Sequence, residues 1–371
     1  MKFYNYTLVD QKICQLAATI ETNILNYTNP LNTEQEKEKF FNALDKKELY
    51  NPVFLYAQKS PIYLYYSKNT TLATFKNEMN ELFKEIGTDS LGLIFERKLL
   101  DLFDRIELIK SIATENFSLN SEGYYGEITR EAKKYAKEIL SKKIIESEKT
   151  IFFNELKEKI ENALKKRKLK YNVIEKITPG AKVSVNVRTR EIMISKHIAL
   201  SLNEVDRLIA HEIEGHIYRY ENGCIQPYKI FSRGLSRETL KTEEGIAVYI
   251  EQQENLNIDE QLKQYAGRLH AIQTAQKHSF YETFEEIKKY FSKEEAFNLT
   301  LRAKRGTLNQ EMGGAFFKDA LYLQGYMEIM EFTKERELNE LYFGRYSIND
   351  APLVFDVDGL IKPKYTPKVK K

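Results

Sequence analysis

Apolar residues recur at three- and four-residue steps over much of residues 1–125, as they do in amphipathic helices that pack on a core. Two such series are Phe40, Phe41 and Leu44, and Leu72, Phe75, Met79, Leu82 and Phe83. Residues 118–126 are rich in turn-forming side chains and predict a boundary there. We therefore predict a helical N-terminal subdomain over residues 1–125 and a second domain over residues 126–371.

The apolar period changes to two near residue 171. Residues 183–187 alternate valine with polar side chains, which predicts a half-buried strand, and residues 191–195 predict another short strand. Ser201 and Glu204 then form the capping pattern of a helix that should end near Gly223. The predicted class is α+β, predominantly helical, with a small β-sheet directly before this helix.

The predicted helix carries the run His211-Glu212-Ile213-Glu214-Gly215-His216, which resembles the zinc-binding H-E-x-x-H motif with one extra residue. Five residues on an ideal α-helix place two side chains about 140° apart, too far for both imidazoles to reach one zinc ion. Either the histidines share no ligand or the helix contains a π-bulge, a feature that concentrates at functional sites. We predict a wide turn over Ile213–His216, with Gly215 relaxing the backbone.

A second acidic run begins a helix at Thr242, where Glu243 and Glu244 could simply complement the positive end of the helix. The run from Glu244 to Glu251 is, however, similar to the Glu-Gly-Phe-Ala helix of the zinc aminopeptidases, whose glutamate is the third zinc ligand. This resemblance implies Glu244 as a ligand, with Glu243 as the alternative. Two histidines and one glutamate are a donor set of catalytic zinc. We predict one Zn²⁺ ion, with Glu212 as general base.

Composition excludes several classes of protein. The net charge is +3, from 57 basic and 54 acidic residues, which argues against a dedicated nucleic-acid binder. No apolar run approaches the roughly 18 residues of a membrane span. Cys14 and Cys224 are the only cysteines, too few for a disulfide framework, and the first residues lack the apolar run of a secretory signal. We expect a cytoplasmic protein that binds neither nucleic acid nor membrane.

The H-E-x-x-x-H spacing followed by Thr-Glu-Glu-Gly-Ile-Ala at residues 242–247 resembles the tyrosine carboxypeptidase family. This family includes microtubule-associated tyrosine carboxypeptidases and bacterial QEGLA-motif proteins. Weaker likenesses extend the resemblance to roughly residues 50–365; they lie at residues 51–54, 305–306 and 313–319, and at Tyr322 with Gly325. The resemblance implies a gluzincin-like core that removes a C-terminal tyrosine or phenylalanine from a peptide or protein. Glu214 stands where the family motif commonly has glycine, and we expect it to face solvent.

A carboxypeptidase must neutralise the terminal carboxylate of its substrate, which arginine does best. Arg302, Lys304 and Arg305 form the most suggestive basic cluster, although a solvated basic surface would explain each of them as well. Tyr322 is a candidate for stabilising the oxyanion, or else packs between helices. Arg302, Arg305 and Tyr322 are therefore the predicted substrate-binding residues.

Two alternatives remain open at this point. One is a metal-binding regulatory or interaction protein without catalytic turnover, but a purely structural zinc needs no general base, so Glu212 favours an enzyme. The other is a zinc aminopeptidase, which should carry a G-x-M-E-N loop that holds the substrate amine. No such loop occurs between residues 171 and 202.

Overall fold

The computed structural model describes residues 5–21, 23–57, 72–143, 148–176, 183–253 and 258–367 of the 371-residue chain. Helices make up 62% of it and strands 6%, which confirms the predicted α+β class in which helices predominate. The gluzincin-like character of the core stays a prediction.

Helices form the N-terminal part of the described chain. They are α1 Tyr6–Ile20, α2 Leu25–Thr28, α3 Thr33–Asp45, α4 Leu72–Glu85, α5 Ser90–Lys110, α6 Phe117–Tyr125 and α7 Arg130–Leu140. Polar side chains define several starts: Asn5 accepts a backbone N–H at the start of α1, as Asp89 does for α5 and Thr129 for α7. Such capping bonds satisfy N–H groups that have no partner within the helix.

The turn-forming side chains of residues 118–126 do not make a turn over most of this stretch, which is helix α6. Phe117 and Ser121 lie four residues apart on its buried face, and the Ser121 hydroxyl accepts the backbone N–H of Phe317. Tertiary burial and this hydrogen bond outweigh the local turn preference. The chain turns only at Gly126, whose φ is +93°. The domain boundary near residue 125 stays a prediction, although one buried apolar cluster includes residues from both sides of it.

Two small sheets precede the helix that carries the histidines. Their strands are β1 Ile151–Phe152, β2 Asn172–Lys176, β3 Val183–Asn186, β4 Glu191–Ser195 and β5 Ala199–Leu200, with α8 Phe153–Lys166 after β1. β1 pairs antiparallel with β5. β4 lies between β2, to which it is parallel, and β3, to which it is antiparallel, and it buries Ile192 and Ile194. The strands predicted at 183–187 and 191–195 are confirmed.

The rest of the chain is again mainly helical. Its elements are α9 Leu202–Ile209, a π-helix Ala210–Ile217, α10 Tyr218–Cys224, a 3-10 helix Lys229–Ser232, α11 Thr239–Gln253, α12 Ile258–Ala275, α13 Phe280–Ile287, α14 Lys293–Lys304, a 3-10 helix Phe317–Ala320, α15 Leu321–Phe332, 3-10 helices Leu338–Leu341 and Ile348–Asp350, and α16 Ala351–Phe355. The predicted capping box of Ser201 and Glu204 starts α9. Among the described residues, no helix has the length and apolar content needed to cross a bilayer.

Helix α11 packs closely against the π-helix on one side and α15 on the other. A Cβ atom added to Gly215 would lie 2.7 Å from the Cβ of Ala247 on α11. Gly245 and Gly325 meet in the same way between α11 and α15, where a Cβ on Gly245 would lie 2.3 Å from the Gly325 backbone. Gly215 therefore permits close helix packing, which differs from the backbone relaxation predicted for it.

Gly325→Ala should lower the free energy of unfolding, because its added methyl would lie 2.2 Å from the Lys241 carbonyl oxygen. Overpacking of this kind costs about 1–3 kcal/mol. Gly123→Ala on α6 is the control, since its methyl meets nothing within 4 Å. Alanine is the better helix former, so this control should be as stable as the parent or slightly more stable. Equal denaturation midpoints for the two variants would contradict the close packing of α11 on α15.

Candidate metal centre

The helix that carries both histidines is wider over Ala210–Ile217, where the backbone is a π-helix. At its end the N–H of Tyr218 donates to the carbonyl of Ile213, five residues earlier. This i→i+5 pattern places residues five apart on the same face. The imidazole centroids of His211 and His216 are consequently 5.0 Å apart. The predicted wide turn is confirmed, and it is longer than the four residues expected.

Glu244 of α11 completes a group of three donors with these histidines. Its Oε2 atom lies 3.7 Å from Nε2 of His211 and 3.9 Å from Nε2 of His216. This oxygen is buried and has no hydrogen-bond partner among the described residues. A buried polar atom without a partner is costly, and a cation between the three donors would remove that cost. We call His211, His216 and Glu244 the donor triad; within the described chain it is the one group found that could hold a metal ion.

A buried carboxylate orients His211. Oε1 of Glu251 lies 2.6 Å from Nδ1 of His211 and also accepts hydrogen bonds from Arg207 and Tyr265, at 3.1 and 3.4 Å. A carboxylate accepts hydrogen bonds, so this contact favours a proton on Nδ1 of His211 and leaves Nε2 facing Oε2 of Glu244. Partners of this kind set the tautomer and ring orientation of histidine ligands.

Glu243 has the same role for His216, with its Oε1 3.2 Å from Nδ1 of the ring. Arg345 fixes this carboxylate from the other side with three contacts of 2.8–3.2 Å. Burial alone would lower the pKa of His216, but the hydrogen bond to Glu243 and the charge of Glu244 raise this pKa to about 9. The site therefore has a negative potential that favours a cation. Glu243, the alternative ligand, instead forms hydrogen bonds with Arg345 and His216.

Glu212 follows His211 in the chain and lines two hollows that His211 also lines. Burial, the largest cause, raises the pKa of its carboxyl group, and the nearby charge of Glu244 adds to the shift. Electrostatic interactions with His211 and His216 oppose it. A raised pKa makes the protonated form of Glu212 easier to reach, which suits a group that accepts and returns a proton.

The sequence of the chain matches a known protein family. The family model for "Microtubule-associated tyrosine carboxypeptidase" matches residues 38–371, which contain the donor triad and Glu212. The chain belongs to this family. The resemblance predicted from the two motifs is thereby confirmed.

The curated relatives share limited sequence identity with the chain. The mouse (Mus musculus) and human (Homo sapiens) proteins named "Putative tyrosine carboxypeptidase MATCAP2" are each 29% identical to the chain over 153 residues. The aligned part covers 40% of this chain and 29% of each relative, so the chain spans less than a third of the length of the relatives it matches.

In this family member two hollows share part of their lining, and the whole donor triad lines the smaller of them. The larger has a volume of about 440 Å³ and the smaller of about 270 Å³. Val183 of β3, His211, Glu212 and Tyr322 line both. The shared side chains show that the two hollows adjoin each other at His211, Glu212 and Tyr322.

Arginines form one wall of the larger hollow. Arg302 donates to Asp319 at 2.6 Å, and the guanidinium of Arg268 lies 4.8 Å from the ring centre of Tyr322. Burial would raise the pKa of Asp319, but Arg302 and Arg305 lower it, with smaller contributions from Arg268 and Lys318. Arg207 and Lys149 also line this hollow, as do the carboxylates of Glu204, Glu260 and Glu295. Nε of Arg268 is buried without a hydrogen-bond partner in the described chain.

Of the three predicted substrate-binding residues, two line the larger hollow and one does not. Arg302 and Tyr322 line the larger hollow, and their role in substrate binding stays a prediction. Arg305 does not line it; this side chain is buried, with a hydrogen bond to Asn29 and its Nη2 3.6 Å from Asp319. Lys304 is also buried, and its ammonium group donates to two backbone carbonyls. Arg305 and Lys304 thus support the fold behind the wall.

Glu214 does not face solvent, contrary to the prediction. Its carboxylate forms an ion pair with Arg167 of the turn after α8, and only 14% of its side chain is exposed. The sequence could not show this, because the two residues lie on separate elements that meet only in the folded chain.

Sequence reasoning missed Glu251 and Arg268. Glu251 lies seven residues after Glu244, two helical turns along the same face, so helical spacing was a usable signal. Arg268 lies three residues after Tyr265, a spacing common to many surface helices, and nothing else in the sequence distinguishes it.

Glu251→Gln should weaken Zn²⁺ binding by about 10–100-fold, the usual effect of losing a partner that orients a ligand. The neutral amide would lose the ion pair with Arg207 and hold the His211 ring less firmly. A competition titration against a chromophoric chelator measures the affinity. Glu335→Gln, an exposed substitution, is the control and should bind like the parent. Matching affinities for both variants would show that Glu251 does not orient His211.

Proposed function

We propose that the protein is a zinc-dependent carboxypeptidase that releases a C-terminal tyrosine or phenylalanine from peptides or proteins. The observation that carries this proposal is the position of Glu212, which follows a residue of the donor triad in the chain and lines a hollow that Arg268 and Arg302 also line. Family membership supports the same reaction class.

His211, His216 and Glu244 would hold the zinc ion. Two imidazole nitrogens and a carboxylate oxygen suit zinc, and three protein ligands leave a position open for catalysis. The unpartnered Oε2 of Glu244 fits this role. Bound zinc supplies Lewis acidity, which polarises a peptide carbonyl and lowers the pKa of water.

Glu212 would hold and transfer the proton. As a carboxylate it accepts a proton from the attacking water, and as a carboxylic acid it returns that proton to the leaving amine. Its raised pKa brings the two forms closer in energy near neutral pH, which suits a group that must act in both directions.

The arginine wall would bind the terminal carboxylate of the substrate. Arg268 is the strongest candidate because its Nε has no partner among the described residues, and Arg302 adds positive charge beside it. This assignment puts the C-terminal residue in the larger hollow. Leu208, Leu299, Tyr265 and Tyr322 line that hollow and offer apolar and aromatic surface to a tyrosine or phenylalanine ring.

Tyr322 is positioned to donate a hydrogen bond near the reacting carbonyl, since it lines both hollows. Burial raises the pKa of its hydroxyl, and the charge of Glu244 adds to this shift, so the hydroxyl stays protonated. Its ring stacks on Tyr265 at 4.9 Å, which holds it in place. An aminopeptidase would instead bind a substrate amine through carboxylates, and Arg268, whose Nε has no partner among the described residues, favours a carboxylate ligand.

Glu212→Gln should lower kcat by about 10²–10⁴-fold while zinc binding stays near the parent value, because the amide cannot accept the proton. Mass spectrometry of a peptide library, with and without chelator, measures the loss of single C-terminal residues. Glu335→Gln is the matched control and should cleave like the parent. Undiminished cleavage by Glu212→Gln would remove this residue from the mechanism.

Arg268→Gln should lower kcat/KM about 10–100-fold on a peptide ending in free tyrosine, because a charged hydrogen bond contributes about 1.5–3 kcal/mol. The same peptide with a C-terminal amide lacks that charge and should be cleaved poorly by parent and variant alike. Arg336→Gln, which removes an exposed arginine from an ion pair with Glu340, is the control. An equal loss on both peptides would assign Arg268 to the fold and not to carboxylate binding.

A further inference from the structure

Helix α1 precedes residues 38–371, the part of the chain that the family model matches. It nevertheless contributes a buried carboxylate, Asp10, of which only 4% is exposed. The two oxygens of Asp10 accept the backbone N–H groups of Lys229 and Ile230, at 2.8 and 2.9 Å. These contacts hold the first turn of the short helix Lys229–Ser232.

The short helix in turn holds the backbone of Arg345. The carbonyl of Phe231, a fully buried residue, accepts the N–H of Arg345 at 2.7 Å. The N–H of Leu235 donates to the carbonyl of Arg345 at 3.2 Å. A Cβ added to Gly344 would lie 2.7 Å from the Phe231 carbonyl oxygen, so the two segments are in direct contact. The backbone N–H of Arg345 is therefore bound to Phe231, in the short helix that Asp10 contacts, and its carbonyl is bound to Leu235, shortly after that helix.

The side chain of Arg345 continues the connection to the donor triad. Its guanidinium binds both oxygens of Glu243, and Glu243 contacts Nδ1 of His216. The series Asp10, residues 229–231, Arg345, Glu243 and His216 is continuous, with each contact at 3.2 Å or less. A second carboxylate at the end of α1, Glu21, forms ion pairs with Lys98 and Arg188 and lies 3.7 Å from Arg233.

We propose that Asp10 is a positioning residue for the donor triad: through the backbone of residues 229–231 and the side chains of Arg345 and Glu243, it sets the orientation of the His216 ring. Helix α1 is thus a working part of the metal centre, although it lies outside the family match. The inference rests on the zinc site of the proposed function, and it does not require that the protein cleave any particular peptide.

Asp10→Asn tests this inference, because the amide group turns an N–H donor toward one of two backbone N–H donors and leaves that group without an acceptor. Zinc affinity should fall about 10-fold, which is at the low end of the loss caused by mutating residues that orient metal ligands. The electronic spectrum of the Co²⁺-loaded protein should change as the ligand geometry changes. Hydrogen exchange of the metal-free protein should become faster in peptides covering residues 229–235 and 343–347.

Ile13→Val is the matched control, since Ile13 is a fully buried apolar residue of the same helix. It should lower the Tm without changing the zinc affinity, the Co²⁺ spectrum or the exchange of residues 343–347. Asp10→Ser, which keeps one acceptor oxygen, replaces the asparagine variant if that variant does not fold.

Unchanged zinc affinity in Asp10→Asn would overturn the proposal, as would an equal loss of affinity in Ile13→Val. If the parent protein took up no zinc, the proposed function would lose its cofactor, and hydrogen exchange alone would decide the inference. If residues 343–347 exchanged at the same rate in Asp10→Asn as in Ile13→Val, the proposal would then be overturned. Faster exchange of these residues in Asp10→Asn would support it. Zinc binding without peptidase activity would count against the proposed function only.

Discussion

The candidate metal centre depends on the widening of one helix. An α-helix would direct His211 and His216 about 140° apart, and no rotation of their side chains would let both meet Glu244. The π-helix over Ala210–Ile217 instead brings the imidazole centroids to 5.0 Å. Its backbone also has support from outside, since the buried hydroxyl of Tyr342 donates to the Glu214 carbonyl. The contacts of Glu243 and Glu251 with the two rings follow from this single change in helix geometry.

Close helix packing is the second constraint. Glu244 reaches the two histidines because α11 approaches the π-helix at Gly215 and Ala247, where no larger side chain fits. On its other side α11 contacts α15 through Gly245 and Gly325, and α15 carries Tyr322 into the cleft. Packing and site geometry are therefore coupled: a change that separates these helices moves a donor as well as weakening the core.

Charge is divided across the cleft. Carboxylates of Glu243, Glu244 and Glu251 surround the histidines and create the negative potential that favours a cation. Arg268 and Arg302 line the larger hollow, where Arg302 pairs with Asp319 and Nε of Arg268 has no hydrogen-bond partner among the described residues. The proposed reaction would use the acidic donors for a cation and an arginine for the substrate carboxylate. Glu212 lies where these two regions meet, and burial there raises the pKa of its carboxyl group toward the range in which it can act as both acid and base.

Local patterns in the sequence determined the parts of the protein that depend on near neighbours. The alternation at 183–187 indicated a strand, the five-residue histidine interval required a wide helix if both rings were to share a ligand, and the Glu244 motif indicated a third donor. Tertiary structure decided the rest. Residues 118–125 became helix, Glu214 paired with Arg167, and Arg305 was buried while Arg268 entered the cleft. The physical reason is that a spacing along one element fixes which residues share a face, whereas burial and charge pairing depend on which distant element covers that face.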